Sequence, residues 1–143
     1  MLELSTTFRR HDCPCCGYPT LTERAAYEIC LLCNWEDDGQ DDDSADEVWG
    51  GPNADYSLSE ARRNFKNYRV MYSPGRDQRL TGSDSEHEFK TKGELMAALK
   101  GLAQTPPEQA SKFLAEVAQL EAELHAETER QVRAYEAAHR GDA

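Results

Sequence analysis

The sequence predicts an α+β chain in which a small, ribbon-like β-hairpin module precedes α-helices, the last of them long. Three observations predict it. Two C-x-x-C pairs, Cys13/Cys16 and Cys30/Cys33, flank a segment that reads as two short strands around a turn. Helix-opening Ser/Thr-x-x-Glu signals follow, at Ser57/Glu60 and Thr91/Glu94. The C-terminal third then carries Phe113, Val117, Leu120 and Leu124 at helical spacing. At 143 residues, 38% hydrophobic and 30% charged, the chain suits one small domain with a helical extension rather than one large core. The expected layout is a ribbon-like domain with an acidic loop and one helix over 1–70. A linker over 71–90 and a helical hairpin over 91–143 complete it.

Charge narrows the function classes. With 27 acidic and 16 basic residues the formal net charge is -11, which repels a phosphate backbone and favours a basic protein surface as partner. The opening "MLELSTTFRR" lacks the apolar run of a secretory signal, and no stretch is long and apolar enough to span a membrane. The expected compartment is the cytoplasm, where thiols stay reduced and paired cysteines bind metal more often than they form disulfides.

Thirteen residues separate the two C-x-x-C knuckles, a spacing that lets a short hairpin bring both pairs onto one ion. Cys13, Cys16, Cys30 and Cys33 are therefore the candidate ligands of a four-thiolate Zn²⁺ site, and the same donor set accepts iron in a rubredoxin-like cage. Pro14 stiffens the first turn and Gly17 permits a φ > 0 exit. Between the knuckles, "YPTLT" and "AAYEI" read as strands around a polar turn at Thr22-Glu23-Arg24, which completes a zinc-ribbon-like module. Cys15 would shorten the first knuckle to C-x-C, so it is read as a packed thiol rather than a ligand. His11 reads as a surface histidine beside an already full shell. Four thiolates leave no open position for water, which makes the site structural rather than catalytic. The segment lacks the βαβ surround of a thioredoxin-like pair, and no residue stands out as a general base for cysteine-based hydrolysis.

The motifs "CPCCGYPTL", "YEIC", "C-x-W-E-D-D-G-Q-D" and "GGPN" followed by "L-x-E-A-R-x-N-F" together resemble the bacterial cysteine-rich CPCC family over roughly Asp12 to Tyr68. Leu31-Leu32 depart from the Pro-Val common in that family's second knuckle but leave both ligands in place. The resemblance implies a small zinc-binding bacterial protein with no established general activity. Some members lie beside polymorphic-toxin genes, which implies an immunity role.

After the second knuckle, "WEDDGQDDDSADEVW" sets Glu36, Asp37, Asp38, Asp41, Asp42, Asp43, Asp46 and Glu47 between two tryptophans without a basic residue. Asp37, Asp38, Asp41, Asp42, Asp43, Asp46 and Glu47 are the candidate partner-binding residues, and the solvated face is the plainer alternative. Within the run, Glu36 to Asp41 falls in the family-like box and reads as serving the fold. An EF-hand is excluded, because counting from Asp42 puts Asn53 at the twelfth position and no Gly at the sixth. Gly50-Gly51-Pro52-Asn53 reads as a turn, and Ser57 with Glu60 opens a helix with Leu58, Ala61, Phe65 and Tyr68 on one face. Arg62, Arg63, Lys66 and Arg69 give it a basic side, which either binds phosphate or, the favoured reading, neutralises the acidic box within the chain.

Thr91 with Glu94 is expected to open a helix carrying Leu95, Leu99 and Leu102. Thr105, Pro106 and Glu108 open a second, running to about His139 with Gly141 as its stop. Beyond Leu124 the apolar stripe lapses at Glu127 and Gln131 and resumes out of phase at Val132 and Tyr135. The helix is expected to dock early and project late, either in a hairpin or against a second copy of the chain. His87, His125 and His139 are scattered and read as solvent-facing, and no phosphate-loop or catalytic motif occurs. The favoured function is a zinc-stabilised acidic interaction protein, most concretely an immunity protein against a bacterial toxin. The alternatives are a metal-dependent hydrolase or phosphoryl-transfer enzyme built on the acidic box, and a nucleic-acid-binding zinc ribbon.

Overall fold

A computed structural model of the protein describes residues 9–140. These divide into two compact units at the Arg76–Asp77 bond. In the first, β1 (His11–Asp12) pairs antiparallel with β2 (Pro19–Leu21), with an irregularity in register between His11 and Asp12. A second, irregular strand pair follows. The Tyr27 amide donates to the Asp37 carbonyl, Asp37 to Glu28 and Cys30 to Trp35, each at 3.0 Å, and Ile29 faces Glu36. The fold class stands, but the expected pairing of "YPTLT" with "AAYEI" is corrected. Ala25 and Tyr27 hold φ of 58° and 60°, which a regular strand excludes. Each segment instead closes across its own knuckle.

Trp35 is the largest side chain sealed in this unit, and Leu21, Leu32, Tyr56, Leu58 and Met71 are buried with it. Helix α1 (Leu58–Tyr68) starts where Ser57 caps it, its hydroxyl accepting from the Glu60 amide at 3.0 Å. The reciprocal half of the expected capping box gives way to a longer reach: Glu60 accepts from Ser73 at 3.3 Å and pairs with Arg76 at 3.4 Å. α1 ends on a left-handed Arg69, and Asn64, buried mid-helix, donates to the Met71 carbonyl at 2.8 Å. Leu58 and Ala61 are buried as expected, whereas Tyr68 is exposed. The Met71 amide then donates to the Cys33 carbonyl at 2.8 Å. Residues expected to begin a linker at 71 are thus part of this core, with Val70, Met71 and Tyr72 buried.

The second unit opens on an ion network rather than a loose loop. Arg79 binds Asp77 through its backbone and its side chain and pairs also with Asp84, which receives Lys92 Nζ at 2.8 Å. Burial opposes the charge on Asp77, but the hydrogen bonds and charge of Arg79 outweigh it and hold its carboxyl below the usual range. A depressed carboxyl contributes stability above its unfolded value of about 3.9 and loses it as pH falls through the lower folded value. Below about pH 4 the amides of Leu95–Leu99 are therefore expected to lose hydrogen-exchange protection. The loss should be smaller in Asp77→Asn relative to its own neutral-pH value. Equal acid sensitivity in both chains would remove the network from the account.

Helix α2 (Glu86–Gln104) is capped six residues before the expected Thr91. Ser85 and Glu88 form the capping box, while Thr91 and Lys92 are buried inside the helix. Helix α3 (Ser111–Ala138) begins later than expected. Thr105 turns its hydroxyl back to the Gly101 carbonyl at 2.6 Å, and Pro107–Gln109 forms a separate 3-10 turn. His139 is the C-cap of α3, and Gly141 lies outside the described residues. The two helices pack as a hairpin around Leu95, Leu99, Val117, Leu120 and Leu124. The docking face runs further than the apolar stripe: Glu127 accepts from Ser85 at 2.9 Å and Gln131 donates to Glu88 at 3.0 Å. Polar residues at stripe positions thus bind the polar start of α2. Only beyond them do Val132 and Tyr135 stand exposed.

At the other end of the hairpin, Gly101 admits the Phe113 ring, where a Cβ would lie 2.5 to 3.0 Å from three ring atoms. Alanine ordinarily gains about 1 kcal/mol over glycine inside a helix. Here Gly101→Ala is expected to lose about 1–3 kcal/mol by overpacking, read as a lower denaturation midpoint of the helical unit. A raised midpoint would contradict the packing.

Candidate metal centre

The two knuckles are built alike. The Cys13 amide donates to the Tyr18 carbonyl at 2.9 Å, and its carbonyl accepts from Gly17 at 2.8 Å; Cys30 repeats this with Trp35 and Asn34, both at 3.0 Å. In each, the residue after the second cysteine has positive φ, 80° at Gly17 and 70° at Asn34. Asparagine tolerates that conformation better than other side chains. The Gly17 exit is as expected; its counterpart was legible as an Asn directly after C-x-x-C and was missed.

This repetition brings the Sγ atoms of Cys13, Cys16, Cys30 and Cys33 within 4.8 Å of one another, with Cys13–Cys33 at 3.6 Å and Cys16–Cys30 at 3.7 Å. A disulfide would need about 2.05 Å. Zinc–sulfur bonds of about 2.3 Å set tetrahedral edges near about 3.8 Å. The four thiols stand where the thiolate ligands of one tetrahedral ion belong. Cys13, Cys30 and Cys33 are at most 1% exposed and Cys16 is half-buried. Among the described residues this is the cluster of His, Cys, Asp and Glu donors able to hold an ion.

Electrostatics give the same reading. Hydrogen bonding to Cys13 and Cys30 pushes the Cys16 thiol far up, and burial together with its sulfur neighbours raises Cys33. Burial also opposes ionisation of Cys30, yet hydrogen bonds from Cys13, Cys16 and Cys33 overcome it and lower that thiol. Crowded, buried sulfurs of this kind disfavour several thiolates side by side, and a cation among them would remove that penalty. Thr20 Oγ1 lies 3.1 Å from Cys30 Sγ and the Leu32 amide donates to the same sulfur at 3.4 Å, an outer layer of the kind that orients metal ligands. Cys15 is buried outside the four-sulfur set, and His11 is exposed.

The acidic box divides into two parts. Asp37 is fully buried and so drops out of the candidate partner surface: its Oδ2 accepts from Arg24 Nε at 3.0 Å and the Ala25 amide at 2.6 Å, and its Oδ1 from Gly39 at 3.2 Å. A carboxylate buried this deeply persists only where it is paired and bonded. Asp38, half-buried, bonds the Gln40 amide at 3.1 Å, and Asp41 caps the 3-10 turn Asp42–Ser44. Hydrogen bonding from Arg24 holds the Asp41 carboxyl below its usual range. Asn53, from the GGPN turn, accepts from the Glu36 amide at 3.0 Å and donates to its carbonyl at 2.7 Å, so its side chain pairs like a strand edge. In the sequence that Asn reads as the end of a turn, with nothing to mark its pairing with Glu36. Asp43, Asp46 and Glu47 are exposed; Asp46 accepts from Ser59, and Glu47 from Trp49 at 3.0 Å. Arg62 pairs with Asp42 at 2.8 Å and donates to the Pro14 carbonyl at 2.8 Å, so this arginine serves the fold at both contacts.

Fold and site together define a cysteine-cage protein: paired knuckle hairpins around a tetrahedral sulfur set able to hold one metal ion, with an acidic loop braced from within. A family model described as Cysteine-rich CPCC matches residues 11–86, more than half of the chain, and the chain belongs to that family. The match reaches past Tyr68 and takes in the Met71 return and the start of the second unit. Neither the curated proteins nor the solved structures compared gave a match. No helix among the described residues is long and apolar enough to cross a membrane.

Proposed function

We propose that this chain is a zinc-stabilised acidic protein that works by occupying a basic protein surface, most concretely a bacterial immunity protein that neutralises a toxin in the cytoplasm. The observation that carries the reading is the contrast between cage and loop. The cage offers four protein sulfurs for four tetrahedral positions, which leaves none for a substrate. The carboxylates of Asp43, Asp46 and Glu47 meanwhile face solvent. Zinc fits the donor set and the edge lengths, and supplies folding energy rather than chemistry in a closed site.

Hydrolysis at the acidic box would need carboxylates converging on shared ions. Here Asp37, Asp42 and Asp46 are directed to Arg24, Arg62 and Ser59 separately. The toxin assignment rests on the gene neighbourhoods associated with this family. Co-expression with the product of the adjacent gene tests it. The expected result is a salt-sensitive complex of the two proteins and restored growth of the host. A neighbouring product that stays separate and toxic would overturn it.

A further inference from the structure

Four large apolar side chains of the first unit face solvent close to the acidic loop: Tyr27 at 60% exposed, Ile29 at 56%, Val48 at 55% and Trp49 at 48%. Tyr27 and Ile29 lie two residues apart on the irregular strand that pairs with Trp35–Asp37. Trp49 lies near the residues that lead into this strand, since a Cβ at Gly39 would lie 3.6 Å from Ala25 Cβ and 3.9 Å from the indole ring. The indole is also fixed, since its Nε1 donates to Glu47 Oε1 at 3.0 Å. An exposed tryptophan restrained in this way loses little side-chain entropy on docking, and tryptophan is enriched among residues that dominate interfaces.

Charge selects the occupant. Asp41 and Asp42 pair with Arg24 and Arg62, but Glu47 and Asp46 bond only neutral groups, Trp49 and Ser59, in the contacts described. Together with exposed Asp43 they leave uncompensated negative charge next to Val48 and Trp49. A second copy of this chain would bring like charge against like. A cationic surface with an apolar centre is complementary on both counts.

We propose that the Tyr27, Ile29, Val48 and Trp49 surface, rimmed by Asp43, Asp46 and Glu47, is the docking site for a basic protein, with Trp49 as its anchor. This rests on the interaction-protein reading above and deepens it. A photo-crosslinking phenylalanine analogue placed at exposed Val48, which leaves Trp49 intact, and separately at exposed Tyr68 and Tyr135, tests the site in the full zinc-loaded chain inside producing cells. The expected result is a covalent adduct to one basic protein from position 48 and none from the other two. That protein, made recombinantly, should bind wild type and Tyr68→Ala equally and bind Trp49→Ala about 30-fold or more weakly. Glu47→Gln should mainly slow association and flatten its salt dependence. Adducts from 68 or 135 alone, or equal affinity of Trp49→Ala, would overturn the site while leaving a partner in place. An adduct to a second copy would overturn the basic occupant. No adduct at any position would count against the interaction reading itself.

Discussion

Stripping the metal with a strong chelator is expected to unfold residues 9–76 while the helical hairpin of residues 77–140 keeps its far-ultraviolet signal. Among its described residues the first unit has two short strands, one 11-residue helix and a small set of buried side chains of which Trp35 is the largest. Most of its remaining backbone is turn, so its order depends on the knuckles holding their places. A structural zinc site is worth about 10–16 kcal/mol of apparent binding free energy at neutral pH, of the same order as or larger than a small domain's entire stability of about 5–15 kcal/mol. Without the ion, nothing bonds the four sulfurs to one another, and the two knuckles lose the link that would hold them within 4.8 Å. Cys30→Ser should reproduce the effect, because Cys30 is sealed and also receives the Leu32 amide and lies against Thr20. The readout is the near-ultraviolet signal of buried Trp35. A chelated chain, or Cys30→Ser, that retained it would show that the hydrophobic core suffices alone.

The second large effect is expected from Asp37→Ala. This side chain accepts three bonds from partners up to 13 positions away in sequence and fixes the start and end of the irregular strand pair. Removing it leaves the Ala25 and Gly39 amides without their acceptor and Arg24 with only part of its pairing. Breaking a buried charged pair from one side costs about 3–5 kcal/mol; because Arg24 is partly open to water, the low end of that range applies. Asp43→Ala, a few residues on but exposed, should stay within about 0.5 kcal/mol of wild type. Urea denaturation of both zinc-loaded variants decides the matter. Equal midpoints would mean that the run is uniform surface charge after all.

That contrast marks what the sequence could and could not convey. Ligand spacing is local chemistry, so C-x-x-C pairs thirteen residues apart were enough to nominate all four sulfurs that the structure gathers. Direction within a charge run is only partly local: the family-like box marked Glu36 to Asp41 as serving the fold, as Asp37 does. Its partners Arg24 and Ala25, 13 and 12 positions earlier and on the far side of the second knuckle, could not be read from "WEDDGQDDD". Strand pairing failed for a related reason. Ala25 and Tyr27 are residue types seldom found at positive φ, and only the tertiary brace of Asp37 makes that backbone affordable. Helix starts were misplaced where two signals compete. Both Ser85/Glu88 and Thr91/Glu94 fit the capping pattern, and the first two turns of α2 bury Glu88, Thr91 and Lys92, which carry no apolar period. Likewise, Glu127 and Gln131 read as the end of a stripe because their partners Ser85 and Glu88 are polar.

The account stands or falls on a single ion bound by sulfur alone. X-ray absorption at the metal edge of freshly purified, full-length protein measures this directly. It should find zinc with four sulfur neighbours at about 2.3 Å and no nitrogen or oxygen in the shell. A shell containing oxygen or nitrogen, or a folded chain without any bound transition metal, would contradict it.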